Sequence, residues 1–376
     1  MKNHHHLGRM HMALAALLVT LVAACGGGSV LPNIERIVVV GDSLSDVGTF
    51  NGMKFTVQNA ADESAGYPIW TQLTETAYGL DGNAQCNHYV ATSVVPTFSA
   101  LTDAASCTNY AIGGAQIYAP SPLADEFNIG TQLEKHVSAS GFNANDLLLI
   151  DGGGNDLAKL AELYLADLNL DSTETGAFDF YVLAFVTDPD RDRAVAGGQY
   201  MAALASEYYD IISGVALQNG AQQVLVVNVP DITLTPRFLA ALAGIEQSSG
   251  AAVAIATKGV IRGWAQAFNG ALKDLAANES RVVIADFFTQ FDSQIANFEA
   301  YGLTNVVDAA CPAVPGSLLG DLPACFDATL DLDTSNGRKA GWWTTYAFSD
   351  NFHPTPKGHE LLAEYVKQTL KGAGWL

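Results

Sequence analysis

Short apolar runs alternate with longer amphipathic segments along most of the chain. The runs lie at 34–40, 147–150, 224–229 and 282–285. They are apolar at consecutive positions, which is typical of strands buried on both faces of a parallel sheet. The segments 200–217 and 254–275 have apolar residues at helical spacing and are long enough for crossover helices. This alternation predicts an α/β domain built around a parallel sheet.

We expect residues 34–376 to form a single domain, because neither an internal repeat nor a low-complexity linker divides them. The stretches 50–108, 168–195 and 290–345 lack the alternating pattern and are predicted to be large loop insertions. The segment 109–111 is a candidate for a further, weaker strand. With it, the predicted sheet has about five strands.

The N-terminal segment is predicted to be a targeting signal and not part of the fold. Lys2 and Arg9 precede an apolar stretch at 12–24 that ends in small residues. This stretch is too short for a comfortable membrane span, and its flanks have the pattern of a secretory signal peptide covering residues 1–24. The mature protein is therefore expected to be exported.

The end of this segment, Leu21-Val22-Ala23-Ala24-Cys25, resembles a bacterial lipobox, in which the cysteine receives a diacylglycerol. Residues 25–33 would then be a flexible tether. We expect a lipoprotein at the outer membrane or cell surface, attached to the membrane only through Cys25. The alternative is an ordinary signal peptide with an incidental cysteine, which would leave the protein periplasmic or secreted.

Acidic residues outnumber basic residues by 39 to 18, which gives a formal net charge of −21. Such a surface repels phosphate backbones, so we expect no nucleic-acid partner. The composition, 49% hydrophobic and 15% charged, is otherwise that of a folded globular protein.

Four cysteines lie beyond the lipobox: Cys86, Cys107, Cys311 and Cys325. Four cysteines allow three pairings, and their spacings are too wide for a C-x-x-C metal or redox motif. We favour the local pairs Cys86–Cys107 and Cys311–Cys325, because each would hold a loop that contains glycine or proline. Four free buried thiols are the alternative, which export makes less favourable.

Two polar blocks near opposite ends of the domain contain a candidate nucleophile and its base. Gly41-Asp42-Ser43-Leu44-Ser45 follows the first predicted strand, and a serine there would have its hydroxyl at the carboxyl edge of the sheet, where ligands bind. Asp350 lies three residues before His353. A serine hydroxyl is activated when a histidine takes its proton, and an acid holds that histidine in the required tautomer. Ser43, His353 and Asp350 are therefore a candidate triad.

The other histidines beyond the signal segment are His88, His136 and His359, and none has an acid three residues before it. His88 and His136 lie in polar segments. His359 precedes an amphipathic segment at 360–370, so we expect it at a helix start or on the surface. We assign these three histidines no catalytic role.

Two glycine-containing blocks could supply hydrogen-bond donors to a developing oxyanion. They are Asn-Tyr-Ala-Ile-Gly-Gly-Ala at 109–115 and Gly-Gly-Gly-Asn-Asp at 152–156. Glycine lets the backbone approach a ligand closely, so Gly114 can offer its N–H and Asn155 its side-chain amide. Either block alone is equally compatible with a tight turn and no further role.

Taken in order, the four blocks resemble those of the SGNH hydrolases, also called GDSL esterases or lipases. The resemblance implies that Ser43 is the nucleophile and contributes its own N–H to the oxyanion hole. It implies that Gly114 and Asn155 supply the other two donors. Asp350 and His353 would complete the triad.

The resemblance spans residues 34–370 and implies a flavodoxin-like three-layer α/β/α sandwich with strand order 2-1-3-4-5. In this order the first and third strands are neighbours at the topological switch point. Ser43 follows the first strand and Asn155 follows the third, so their side chains would lie close together. The segment Tyr110-Ala111-Ile112-Gly113-Gly114 and the large insertions resemble the branch of secreted bacterial esterases, phospholipases and acyltransferases.

The predicted function is a serine carboxylester hydrolase that cleaves lipid or small acyl esters through an acyl-enzyme, without cofactor or metal. Asp146, Asp151 and Asp156 flank one strand and point in different directions, so we assign them no metal site. One alternative is a deacetylase or depolymerase acting on acetylated polysaccharide or polyester. Another is a catalytically silent surface lipoprotein that uses the fold only for binding, against which the intact set of four blocks argues.

Apolar side chains cluster in two of the predicted insertions. They are Phe178, Phe180, Tyr181, Leu183, Phe185 and the pair Trp342-Trp343. They could bind an acyl chain or a polymer, or they could pack the insertions onto the core. The sequence leaves both roles open.

Overall fold

The structure is a computed structural model that describes most of the chain beyond its N-terminal segment. The described residues are 31–62, 66–80, 82–91, 102–118, 128–170, 174–312 and 322–376. The predicted signal peptide, Cys25 and most of the predicted tether lie outside these residues. From Pro32 onward the chain forms one compact unit.

Strands and helices alternate through the described residues. The strands are β1 (Arg36–Val40), β2 (Tyr89–Val90), β3 (Thr102–Asp103), β4 (Asp146–Asp151), β5 (Gln223–Val227), β6 (Val282–Ala285), β7 (Asn305–Ala309) and β8 (Tyr346–Phe348). The α-helices are α1 (Trp70–Ala77), α2 (Ile129–Ala139), α3 (Gly154–Ala166), α4 (Ala177–Val182), α5 (Arg193–Ile211), α6 (Pro236–Ser249), α7 (Ala251–Ala276), α8 (Phe287–Ala296), α9 (Asp327–Asp331) and α10 (Pro356–Gly372). None of these described helices is long and apolar enough to cross a bilayer.

The central sheet has four parallel strands in the order β1-β4-β5-β6. These strands overlap the four predicted runs, which confirms the predicted α/β fold with its central parallel sheet. The two predicted crossover helices are α5, which continues into a π-helix at Ile212–Leu217, and α7. β2 pairs with β3, and β7 with β8, in two small separate sheets.

The predicted fifth strand is reduced to a single bridge at the free edge of β1. Val39 and Asn109 form this parallel bridge, and the Tyr110 N–H donates to the Val39 carbonyl at 2.7 Å. The chain then bends away, because Asn109 Nδ2 donates to the Ser45 carbonyl at 2.8 Å and Asn109 Oδ1 accepts from the Ala111 N–H at 2.9 Å. Side-chain hydrogen bonds of this kind compete with a strand ladder.

Successive residues of the central strands point to opposite faces and pack against two layers of helices. On one face, Val38 and Leu148 belong to a buried cluster with apolar residues of α2, α3, α5 and α7. On the other face, Val39, Leu149 and Leu225 belong to a cluster with residues of α1, α8 and α10. Complete burial of one such aliphatic side chain contributes about 1.5 to 3 kcal/mol to stability. The sheet therefore forms the middle of three layers.

All three predicted loop insertions contain elements of the core, since 168–195 includes α4 with its buried Phe178. Within 50–108, α1 completely buries Trp70 in the same layer as α10. Within 290–345 lie most of α8 and strand β7, which pairs in parallel with β8. The interpretation of these whole stretches as loops is therefore wrong. α1 and α8 have only 8 and 10 residues, too few turns for a distinct helical pattern.

Two disulfide bonds join local cysteine pairs in the structure. The sulfur atoms of Cys86 and Cys107 are bonded, as are those of Cys311 and Cys325. This is the pairing that the sequence favours. The first bond holds the segment before β2 against the residues that lead into the Asn109 bridge at the sheet edge.

Candidate active site

The candidate nucleophile lies on the turn that follows β1. The Leu44 N–H donates to Asp42 Oδ1 at 2.9 Å and helps to close this turn around Ser43. Gly41 cannot carry a side chain here, because a Cβ atom would lie 2.0 Å from Asp151 Oδ1 at the end of β4. Ser43 thus lies at the carboxyl edge of the sheet, as expected from its position directly after the first strand.

A tight turn between β8 and α10 carries the candidate acid and base. The backbone N–H groups of Phe352 and His353 both donate to Asp350 Oδ1, at 2.8 and 2.6 Å. The other carboxylate oxygen, Asp350 Oδ2, lies 2.7 Å from His353 Nδ1. A carboxylate only accepts hydrogen bonds, so this contact assigns the proton of a neutral imidazole to Nδ1 and leaves Nε2 as an acceptor.

Ser43 and His353 meet at this edge although 310 positions separate them in the sequence, with 2.8 Å between Ser43 Oγ and His353 Nε2. Ser43, Asp350 and His353 are only 5%, 2% and 6% exposed. Phe55 packs against the imidazole, with 5.0 Å between ring centroids. The result is a buried hydrogen-bonded chain from carboxylate through imidazole to hydroxyl, the arrangement that can activate a serine.

The two glycine-containing blocks converge next to the Ser43 turn. Asn155 Nδ2 donates to the Ala115 carbonyl at 2.9 Å and lies 3.3 Å from Asp42 Oδ2, a long contact. Gly114 has a φ of +86°, in the region that favours glycine. Within the described part of the chain, the N–H groups of Ser43 and Gly114 have no hydrogen-bond partner. Two unpaired backbone donors, and an amide whose second contact is long, are therefore available near the serine.

Two buried carboxyl groups, Asp42 and Asp151, support the turn from the interior. The Asp42 N–H lies 3.4 Å from Asp151 Oδ2, and Ser45 Oγ donates to Asp151 Oδ1. Burial raises the pKa of Asp42 and of Asp151, and the neighbouring Asp42 charge raises the pKa of Asp151 further. Asp42 Oδ1 accepts from the Leu44 N–H, and Asp42 Oδ2 lies 3.3 Å from Asn155 Nδ2.

Asp46 is a further supporting residue, and its role was not predicted from the sequence. Its Oδ1 accepts from the N–H groups of Gly48 and Thr49, both at 2.8 Å, and its Oδ2 accepts from the Gly113 N–H at 2.9 Å. Asn87 Nδ2 also donates to it, at 3.1 Å. Its position directly after the block that contains Ser43 is a sequence signal, but its partners Asn87 and Gly113 lie 41 and 67 positions away.

An apolar cavity of about 80 Å³ lies beside Ser43 and His353. Residues that follow β1, β4 and β5 form its floor, and α8, β8 and α10 form its walls. Its apolar lining includes Val229, Ile232, Phe287, Phe291, Ile295, Leu303, Phe348, Phe352, Leu361 and Leu362. This cavity could not be predicted from the sequence, because its walls come from distant segments and one of them lies in a predicted loop.

The aromatic clusters of the insertions mostly pack onto the core. Phe178 is completely buried and stacks on Trp264 with 5.6 Å between ring centroids, and Trp343 is also buried. Tyr181, Phe185 and Trp342 are half-buried against the core. Phe180 and Leu183 remain exposed, at 68% and 51%. None of these side chains lines the cavity beside Ser43.

Asp146, Asp151 and Asp156 serve three separate structural contacts. Asp146 Oδ1 accepts from Arg36 Nε at 2.9 Å, and Asp156 Oδ2 accepts from the Ile117 N–H at 3.0 Å. Asp151 belongs to the pair with Asp42. Among the residues that the structure describes, no group of three histidine, cysteine or acidic side chains is arranged to hold a metal ion.

The remaining three histidines are all buried. His359 lies at the start of α10, which is one of its two expected places, and its expected alternative at the surface is wrong. His359 shares one face of α10 with buried Leu362, Ala363 and Val366, so it occupies the apolar stripe of that helix. Burial lowers the pKa of His136 to about 4 and that of His359 to about 3. Within the described residues, neither ring nitrogen of His359 has a hydrogen-bond partner.

We expect the free energy of unfolding of His359→Leu to fall less in mild acid than that of the wild type. Below pH 6.5 the unfolded chain protonates this histidine, whereas the folded chain keeps it neutral down to about pH 3, so acid favours unfolding. In the wild type this histidine lowers the free energy of unfolding by about 2 kcal/mol between pH 8 and pH 5. Urea unfolding of wild type and variant at both pH values measures the difference. Identical pH dependence in the two proteins would disprove a buried neutral His359.

The proteins that this chain resembles include a curated relative and a solved structure. A Pseudomonas putida protein described as "Uncharacterized protein in trpE-trpG intergenic region" is 25% identical over 365 residues, which are 95% of this chain and 52% of that protein. The chain thus spans about half the length of that relative. The crystal structure of a member of the lipolytic protein G-D-S-L family from Veillonella parvula DSM 2008 aligns with 89% of this chain and 98% of its own, with 12% identity and a TM-score of 0.38.

A family model described as "GDSL-like Lipase/Acylhydrolase" matches residues 37–366. The match begins in β1 and ends within α10. It includes all four polar blocks that meet at the carboxyl edge of the sheet. The chain belongs to the GDSL-like lipase/acylhydrolase family.

Proposed function

We propose that this protein is a serine carboxylester hydrolase. Ser43 Oγ attacks the ester carbonyl while His353 Nε2 takes its proton, and His353 then protonates the leaving alcohol. Water cleaves the acyl-enzyme by the same route. Asp350 holds the tautomer of His353 and stabilises its charged form. The observation that carries the proposal is the pair of contacts, 2.8 Å from Ser43 Oγ to His353 Nε2 and 2.7 Å from His353 Nδ1 to Asp350 Oδ2.

The oxyanion of the tetrahedral intermediate is bound, in this proposal, by the N–H groups of Ser43 and Gly114 and by the Asn155 amide. The two backbone donors have no partner among the described residues. Asn155 keeps its bond to the Ala115 carbonyl and turns its second amide hydrogen from Asp42 to the substrate. Donors that are already held in place lower the barrier, because they need little rearrangement as charge develops.

The acyl chain occupies the apolar cavity beside Ser43. A volume of about 80 Å³ corresponds to about five to eight water-sized groups. Esters of short acids are therefore the proposed substrates, in preference to long-chain lipids.

Hydrolysis of a series of p-nitrophenyl esters, from acetate to dodecanoate, tests this function. We expect the highest kcat/KM at short chain length, and a very large loss of hydrolysis in Ser43→Ala. A folded wild-type protein that hydrolyses no ester would contradict the proposal and favour the silent binding protein. Turnover confined to acetylated polysaccharide or polyester would favour the deacetylase or depolymerase instead.

We also propose that residues 1–24 are a signal peptide and that lipidated Cys25 anchors a catalytic domain at 34–376. Two disulfide bonds are compatible with export to an oxidising compartment. Cys25→Ala should move the protein from the membrane fraction to the soluble fraction, because the anchor is lost. The kcat of the released protein should equal that of the wild type. The same fractionation for both proteins would refute the lipid anchor.

A further inference from the structure

One wall of the cavity beside Ser43 carries a polar side chain among apolar neighbours. Gln294 lies on α8 with Phe287, Phe291 and Ile295, and the four side chains line the cavity at helical spacing. A position on such a stripe is normally apolar. Gln294 is only 4% exposed, so its amide is almost completely removed from solvent.

The Gln294 amide is incompletely satisfied. Its Nε2 is buried and has no hydrogen-bond partner among the described residues. The other polar side chains on the floor have partners: Asn228 Nδ2 donates to Asp286 Oδ1 at 2.9 Å, and Asp42 and Asp151 bond to the Ser43 turn. A buried unpaired donor is costly, so it needs a reason such as a ligand that completes it.

We propose that Gln294 recognises an oxygen on the acyl chain, so that the preferred substrates are esters of short hydroxy acids and not of plain alkyl acids. This inference rests on the proposed ester hydrolysis at Ser43. The acyl chain attached to Ser43 Oγ would enter the cavity, and its hydroxyl would bond to the Gln294 amide. Hydrolysis breaks the acyl C–O bond, and water supplies OH to the acyl carbon and H to the leaving alcohol.

The chemistry of the cavity favours a hydroxyl over other oxygen groups. A hydroxyl both accepts and donates, so it can pair with either end of the Gln294 amide. A carboxylate on the acyl chain is disfavoured, because the acidic side chains of Asp42 and Asp151 line the same cavity. The remaining lining is apolar and accommodates the carbon chain.

The test compares hydroxylated esters with partners in which a methyl group replaces the hydroxyl. The three pairs are ethyl 3-hydroxybutanoate with ethyl 3-methylbutanoate, ethyl 3-hydroxyhexanoate with ethyl 3-methylhexanoate, and ethyl 6-hydroxyhexanoate with ethyl heptanoate. The kcat/KM for each is measured by titration of released acid. We expect the wild type to favour the hydroxylated ester of at least one pair by about five- to fifty-fold, because the methyl partner leaves the amide unpaired.

The variant Gln294→Met keeps an unbranched side chain of similar length but removes the amide. We expect this variant to lose or reverse the preference for the hydroxylated ester, since its α8 wall of the cavity is wholly apolar. Gln290→Met, one turn earlier on the same helix and outside the cavity lining, is the matched control and should keep the wild-type ratio. Active-site titration of each preparation counts folded enzyme, so misfolding does not alter the ratios.

The inference is overturned if the wild type favours the methyl partner in all three pairs, or if Gln294→Met keeps the wild-type ratio. Hydrolysis of simple esters without a hydroxyl preference would reject this inference and leave the proposed function intact. No hydrolysis of any ester, together with an unreactive Ser43, would reject both.

Discussion

Ser43→Ala, His353→Ala and the double variant are each expected to lose about 10⁴- to 10⁶-fold in kcat, and the double variant should be no worse than the poorer single variant. The losses should not multiply, because the hydroxyl and the imidazole act in one step, joined by the 2.8 Å contact between Ser43 Oγ and His353 Nε2. Steady-state kinetics on one soluble short-chain ester measures all three losses.

His359→Leu is the control for His353→Ala, because His359 is another buried histidine close to the same turn but outside the triad. We expect it to retain activity within a few-fold. Single losses that multiply in the double variant would show that Ser43 and His353 do not share a step. If Ser43→Ala hydrolysed esters at the wild-type rate, Ser43 could not be the nucleophile.

Asn155→Ala is expected to lower kcat by about a hundred- to a thousand-fold with little change in KM, the loss typical of one oxyanion donor. The reason is that its amide would bind the transition-state oxygen more strongly than the ground-state carbonyl. A contact made equally in both states would instead raise KM at constant kcat. Kinetics on one soluble ester, with thermal unfolding of the same preparation, distinguishes these outcomes.

Asn269→Ala is the matched control for Asn155→Ala. The Asn269 amide bonds to both the N–H and the carbonyl of Val229, at 3.0 and 2.8 Å, so its role is structural. We expect this variant to lower the melting temperature without the large loss in kcat. A folded Asn155→Ala with nearly unchanged kcat would remove Asn155 from the oxyanion hole and leave it to the Ser43 and Gly114 N–H groups.

The central strands could be predicted from the sequence because burial on both faces leaves a local signature. A strand such as β4 is apolar at consecutive positions, and its bounds, Asp146–Asp151, differ little from the predicted 147–150. The approach of Ser43 and Asn155 to one edge also follows from the sheet topology. The placement of Asp350 and His353 depends on the family resemblance, since no local pattern relates them to β1.

Features that depend on contacts between distant segments could not be predicted. The short helices α1 and α8 have too few turns to show a helical period. At Asn109, side-chain hydrogen bonds replace the expected edge strand. The raised pKa values of Asp42 and Asp151 depend on the burial of both groups. The cavity lined by Gln294 exists only once α8, β8 and α10 are assembled.

Labelling with a fluorophosphonate, followed by peptide mapping, tests most directly whether Ser43 is an activated nucleophile. The reagent bonds to a serine that a neighbouring base deprotonates, so it does not depend on the identity of the ester. We expect one label per wild-type chain, on Ser43, and much slower labelling in His353→Ala. A label on another serine, or no label on a wild-type protein that still hydrolyses esters, would contradict the triad of Ser43, His353 and Asp350.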